Sequence, residues 1–318
     1  MRRSWLARPP SWMPALRLIA LLTPLLSGCA GGPPGSTMTM TGCMDPQQAD
    51  ASDLRRNRAQ IRGTPLCYRL QRLHEGPFHW TFHILEHRQH PNGPFWVLPH
   101  DDENTAFDVA VQAVIDYGGG LLAIDSSGQR HFHGQDPNRN FSRTRAEANR
   151  CSGQRQPAPG YVAAVLDHYR GRQGPILALH NNQDGWGGNG GRGSISLHRP
   201  IPAHDRYPGH GSGLLRDEDN LIFMAGRRPL RADTRMRREI ARLNAAGLNV
   251  VYKQVGQRNF DCSLSDYVAL HRLGDYFNIE AQHGALDAQQ QMVERLLEAI
   301  GIAPLDAAPS SPFLEPPS

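Results

Sequence analysis

The sequence predicts an α/β fold, a mostly parallel mixed sheet with helices on both faces, from three observations. Short apolar β-like runs alternate with stretches whose apolar residues recur at i, i+3, i+4 and i+7, and strands separated by single helices pair in parallel. The chain has 318 residues, 39% hydrophobic and 20% charged, with mean hydropathy −0.51, enough to bury a sizeable core. No collagen repeat, sustained heptad or series of long apolar spans is present, which excludes fibrous and polytopic membrane classes.

Taken in order, residues 1–28 read as an export signal. Arg2, Arg3, Arg8 and Arg17 lie there with no acidic residue, and Leu18 to Gly28 is apolar but too short to span about 30 Å of hydrocarbon. The stretch ends Leu26-Ser27-Gly28-Cys29, which resembles the lipobox of bacterial lipoproteins. That resemblance implies that Cys29 becomes the acylated first residue, and Ala30 after it favours the outer membrane, facing the periplasm. Membrane contact is then expected through the lipid anchor alone. Without the first 28 residues the chain has 30 basic and 30 acidic side chains. The neutral total gives no electrostatic reason to expect nucleic acid as a partner.

Residues 29–52, rich in Gly, Pro, Ser, Thr and Gln, are expected to be a tether, 53–303 the folded domain, and 304–318 a disordered Pro- and Ala-rich tail. Cys43, Cys67, Cys151 and Cys262 make an even count in an exported chain and suggest disulfides. Three pairings are possible, and Cys43 with Cys67 and Cys151 with Cys262 is favoured. The absence of a CxxC speaks against a cysteine-rich zinc site.

Expected strands are Thr81 to Glu86, Phe95 to Leu98, Leu121 to Asp125, Ile176 to Leu179, Ser194 to Leu197, Leu221 to Met224, Asn249 to Tyr252 and Tyr276 to Ala281. Helical periodicity groups Phe107, Ala110, Val111 and Val114; Val162, Val165, Leu166 and Tyr169; Met236, Ile240 and Leu243 before Gly247; and Val293, Leu296, Leu297 and Ile300 before Gly301.

Open α/β sheets place their sites where strands end and loops begin. Three expected strands end on metal- or proton-binding side chains: Leu98 runs into His100 to Glu103, Leu179 into His180, and Ile279 into Glu280. In the HxxE His100-Asp101-Asp102-Glu103 the strand-to-helix turn lets imidazole and carboxylate converge, and His180 would complete three ligands. A second HxxE, His83 to Glu86, falls inside a strand, where side chains three apart face opposite ways. Asp101 and Asp102 are read as caps of the following helix, the Gly-rich run Asp184 to Ser194 as a flexible loop, and His131-Phe132-His133 as carrying little weight.

Between His100 and His180 stands Asp136-Pro137-Asn138-Arg139-Asn140-Phe141. HxxE, then Asp-x-Asn-Arg-x-Phe, then a strand ending in His, then a strand carrying Glu resembles the zinc carboxypeptidase superfamily, which includes the carboxypeptidase A and succinylglutamate desuccinylase/aspartoacylase types. The resemblance covers residues 100 to 280. It implies that His100, Glu103 and His180 hold Zn²⁺, that Glu280 is the general base, and that Asn138 and Arg139 grip a substrate carboxylate. Arg130 would polarise the scissile carbonyl, although its spacing to Arg139 is one residue longer than in the desuccinylase-like branch. Asp261 to Tyr267 resembles the Gly-Ser-x-x-Asp-Trp segment of these relatives, with Tyr for Trp; Tyr252 and Tyr267 are candidates for a substrate-facing tyrosine. The implied activity is zinc-dependent hydrolysis of an amide bond next to a free carboxylate, with peptidoglycan stem peptide the expected substrate. An N-acyl amino acid deacylase and a non-catalytic envelope-binding lipoprotein remain as alternatives.

Overall fold

The structure is a computed structural model that describes residues 35–151, 156–172, 174–183 and 195–306. The export signal, Cys29, the Asp184 to Ser194 run and the end of the tail lie outside the described residues.

Ten strands form one sheet in the order β1-β2-β3-β5-β4-β6-β10-β8-β9-β7. The strands are β1 Ser36–Met40, β2 Leu66–Glu75, β3 Phe78–His87, β4 Phe95–Leu98, β5 Gly120–Asp125, β6 Ile176–Asn182, β7 His204–Tyr207, β8 Leu221–Gly226, β9 Asn249–Gln254 and β10 Tyr276–Gln282. The helices are α1 Ser52–Arg56, α2 Arg58–Ile61, α3 Asn104–Tyr117, α4 Arg145–Ala148, α5 Pro159–Leu166, α6 Thr234–Ala245, α7 Leu264–His271 and α8 Leu286–Ala299.

The expectation of a mostly parallel sheet needs correction. Four pairings are parallel (β5–β4, β4–β6, β6–β10 and β8–β9) and five are antiparallel. Only Gly76 and Pro77 separate β2 from β3, too few for the crossover that parallel strands need. Three of the parallel pairings join β5, β4, β6 and β10 into one central ladder, and the site is built there.

Central strands are apolar without interruption because both their sides are covered. Ile176, Leu177, Ala178 and Leu179 are all fully buried. Their side chains alternate between two apolar clusters. Trp96, Leu98, Leu177 and Leu179 join the first, with Val111 of α3, Leu243 of α6 and Leu296 of α8; Phe95, Val97, Ile176 and Ala178 join the second, with Val162 of α5 and Val268 of α7.

The folded chain begins well before residue 53. β1 pairs with β2, Pro46 and Ala49 are buried, and Cys43 is bonded to Cys67 across a Cα–Cα distance of 5.4 Å, so the tether reading fails from Ser36 onward. β1 adds a strand to the sheet edge, and its polar composition suits a strand with one exposed side. At the other end the Leu305 N–H donates to the Asp116 carbonyl at 2.7 Å, so the chain stays attached there. Cys151 is bonded to Cys262, again 5.4 Å between Cα atoms. Ile195 to Leu197 forms no strand. Among the described residues no helix is long and apolar enough to cross a membrane.

Candidate metal centre

His100, Glu103 and His180 come from two adjacent parallel strands. β4 ends at Leu98 and delivers His100 after one proline; the chain then turns and Glu103 opens α3. Glu103 stands at the helix N-cap without making a cap bond, because its carboxylate is turned inward to the histidines. β6, paired to β4 in parallel, carries His180 one residue beyond its apolar run.

All three side chains are buried, at 3%, 2% and 3% exposure. His100 Nδ1 lies 2.9 Å from Glu103 Oε1, His180 Nδ1 lies 2.9 Å from Glu103 Oε2, and the two Nδ1 atoms are 3.1 Å apart. Among the described residues this is the one group of three such side chains whose ligand atoms all lie within 4.8 Å of one another. Each imidazole turns Nδ1 inward and Nε2 outward. His100 Nε2 meets Asp136 Oδ1 at 2.8 Å, and His180 Nε2 lies 3.3 Å from the Asn138 amide. With Asp136 accepting from Nε2–H, release of the Nδ1 proton on metal binding would leave the Nδ1 lone pair facing the centre, the tautomer that a metal ligand requires.

The electrostatics also call for a cation. Burial works against charge on His100, yet the Glu103 and Asp136 carboxylates raise its imidazole to about 9. Burial opposes charge on Glu103 too, and His180 and His100 nevertheless hold its carboxyl well below the usual range. Two imidazoles and one carboxylate, dry and convergent, are a donor set suited to a divalent metal such as zinc.

Glu280 sits beside His180, its partner in the β10–β6 register. Its carboxylate accepts from the Asn278 amide at 2.8 Å and the Asn182 amide at 3.4 Å. A cavity of about 280 Å³ brings together the three ligand candidates, Glu280, Arg130, Asn138 and Arg139. Asp136 caps the single turn Pro137–Arg139 through the Asn138 N–H. The Leu264 N–H fixes the Asn138 amide oxygen at 3.0 Å. The Arg139 guanidinium lines the cavity, donates to the Asn138 carbonyl at 2.9 Å and lies 3.9 Å from Asp261. Arg130 donates to Glu103 Oε1 at 2.9 Å.

Three readings need correction. Tyr252 and Tyr267 are buried in opposite apolar clusters and neither lines the cavity; the Tyr252 hydroxyl donates to the Arg228 carbonyl and Tyr267 packs on His271. Asp101 does not cap α3; it accepts from the Ser126 and Gly128 N–H groups at 2.8 and 2.6 Å, tying down the loop that leads to Arg130. The neutral charge total hides an uneven distribution, because Arg227, Arg228, Arg231, Arg235, Arg237, Arg238 and Arg242 fall in one short stretch and are all exposed. As expected, His83 and Glu86 part company: His83 bonds Tyr68 and Asp125, and Glu86 bonds Arg69. His131 and His133 are exposed and take no part.

Lys253 belongs to the site and was missed in the sequence, where Asp136 and Asp261 stood in their motifs without a role. Lys253 is the only lysine in the chain, which is otherwise served by arginine. It is buried, with Nζ 3.0 Å from Asp261 and 2.9 Å from Asp266. Burial and the neighbouring Asp261 push Asp266 up to about 7, whereas Arg139 and Lys253 overcome burial and hold Asp261 low. The lone lysine was the available signal.

No protein-family model and no curated protein matches this chain. Among solved structures, it is similar to a "putative metallopeptidase" from Shewanella amazonensis, with TM-score 0.40 and 15% identity over 70% of this chain and 83% of the other. It is also similar to a "putative carboxypeptidase A" from Shewanella denitrificans, with TM-score 0.37 and 10% identity over 70% of this chain and 60% of the other. The functional reading therefore rests on the side chains of the cavity, which form a buried His–Glu–His group suited to a metal ion.

Proposed function

We propose that the chain is a zinc-dependent amide hydrolase acting next to a free substrate carboxylate, with cell-wall stem peptides as its substrate class. The observation that carries this reading is the convergence in one cavity of the buried His100–Glu103–His180 group, the Glu280 carboxylate and the Arg139 guanidinium. The proposal includes export, a lipid on Cys29 and a place on the periplasmic side of the outer membrane, supported by the Leu26 to Cys29 motif.

His100, Glu103 and His180 would hold the metal, which when bound supplies a Lewis acid and lowers the pKa of water to about 7. Glu280, held by Asn278 and Asn182, takes the proton of the attacking water and passes it to the leaving nitrogen. Arg130 presents its positive charge beside Glu103, where it stabilises negative charge growing on the scissile carbonyl oxygen. Arg139 gives up its contacts with Asp261 and the Asn138 carbonyl for a two-bond contact with the substrate carboxylate, and the Asn138 side chain is locked beside it by Leu264.

A matched pair of stem-type peptides, free acid and carboxamide, tests the reading together with metal content. The acid is expected to be cleaved about ten- to a hundredfold faster, since the amide leaves Arg139 unpaired. Glu280→Gln is expected to keep its metal and lose turnover, and His180→Ala to lose both. Equal turnover of acid and amide would remove the carboxylate clamp; cleavage of acyl amino acids in place of peptides would favour the deacylase, and a metal-free wild type the non-catalytic alternative.

A further inference from the structure

We infer that the arginine-rich stretch from Arg227 through α6 is a docking surface for anionic phospholipid headgroups, which begins at the end of the sheet opposite the metal site. Arg227, Arg228, Arg231, Arg235, Arg237, Arg238 and Arg242 fall in a stretch whose only acids are Asp233 and Glu239. All seven are exposed. The chain beyond residue 28 has equal numbers of basic and acidic side chains, so this stretch, with seven arginines against two acids, carries a local positive excess.

Little of this charge is spent internally. Arg235 pairs with Asp275, Arg242 with Glu239, and Arg237 donates to the Thr234 hydroxyl. Among the described residues, Arg227, Arg228, Arg231 and Arg238 make no side-chain hydrogen bond or ion pair. On α6, Arg235, Arg238 and Arg242 follow one another at i, i+3 and i+7, away from the buried Ile240 and Leu243. A cavity of about 720 Å³ continues the face, adding Arg272 beside Tyr276 and Phe277 at the start of β10. Glu280 lies at the other end of that strand, ~13 Å along it.

Unpaired guanidinium groups repel one another until an anion arrives, and their planar forks match phosphate oxygens. The charge is spread over a broad face, so the fitting partner offers many phosphates in a plane. None of the exposed large apolar residues, Met40, Met44, Leu214, Leu286 and Leu305, belongs to this stretch, so attraction is by charge and not by insertion. The choice of a lipid surface over nucleic acid rests on the proposed export of the chain.

The full chain carrying Cys29→Ser, which removes the proposed lipid, is sedimented with vesicles of phosphatidylcholine and with vesicles that also contain phosphatidylglycerol. Binding is expected only to the anionic vesicles at about 50 mM salt, with release near 500 mM. Each arginine contributes about fivefold in affinity near such a surface. The triple variant Arg231→Gln, Arg237→Gln, Arg238→Gln is therefore expected to bind at least about tenfold more weakly, with peptide turnover in solution unchanged. Equal binding to both vesicles, or unchanged binding by the triple variant, overturns the inference. So does tighter binding to duplex DNA at equal phosphate concentration, and so does full displacement by millimolar inorganic phosphate, which would mark a pocket for a single ion. Vesicle binding reads neither metal nor turnover, so its failure is distinct from failure of the hydrolase reading.

Discussion

At the carboxyl end of β10 the ionic groups alternate in sign and are paired at short range, from the buried His100 and Glu103 through the exposed Arg130 and the half-buried Asp136, Arg139 and Asp261 to the buried Lys253. Near its amino end, on the α6 side, they are mostly exposed and predominantly basic, seven arginines against Asp233, Glu239 and Asp275, and among the described residues four of the seven make no side-chain hydrogen bond or ion pair. The difference follows from solvent. A charge taken out of water has to be matched by partners at hydrogen-bond distance, so the buried end is geometrically determined. Water screens exposed charges within about 10 Å at 0.1 M salt, so the arginine face tolerates crowding and acts as a field.

The comparison breaks most readily at the Cys151–Cys262 bond. Cys262 stands in the left-handed region at φ 61°, its carbonyl accepts from the Phe141 N–H, and its neighbours Asp261 and Leu264 contact Arg139 and Asn138. Replacing both cysteines by serine is expected to lower stability by about 2–5 kcal/mol in a urea melt. KM for the acid peptide should rise while metal content stays at one per chain, because no metal ligand lies on that loop. Metal loss in the folded variant would tie the staple to the centre itself.

A smaller effect comes from pH. His100 is raised to about 9 by Glu103 and Asp136 against the pull of burial, so in chelated protein the stability it contributes is complete below about pH 6.5 and lost as pH rises through 9. Melting temperature after chelation should fall across that window, and added zinc should flatten the curve by replacing the proton. A flat curve in the chelated protein contradicts this account of the buried end. The smallest effect belongs to the exposed end. Arg238→Gln should change stability by less than about 0.5 kcal/mol, and a larger loss would show that the face is structurally tied.

The parallel centre was legible because strands buried on both sides leave unbroken apolar runs, as in Ile176 to Leu179, and α3 and α6 show one apolar stripe. β2 was not. Its Arg69, Gln71, Arg72 and Glu75 interrupt the pattern, and its polar side chains are satisfied by contacts far along the chain, such as Arg69 with Glu86. β1 looked like linker because its short polar residues form a strand only when β2 supplies the ladder. The candidate ligands His100 and His180 and the candidate base Glu280 could be read from strand ends, since each closes a mostly apolar run. The supporting groups could not. Asp136 and Asp261 act through contacts to residues 36 and 122 positions away, and tyrosines near the motifs, Tyr252 and Tyr267, face their own apolar clusters.

The register of β10 against β6 also sets an order of events during folding. Glu75 and Phe78 pair across a two-residue turn, so the β2–β3 hairpin closes a short loop and forms early. Ile176 pairs with Tyr276, a closure that waits until most of the chain is available, and Gln289 of α8 then donates to the His180 carbonyl at 2.9 Å. The cavity wall carrying Glu280 is therefore among the last parts to be assembled. Chains stopped before β10 would display His100, Glu103 and His180 without that wall, so metal capture by truncated chains should be weak and open to exchange, and secure loading should be a property of the finished fold.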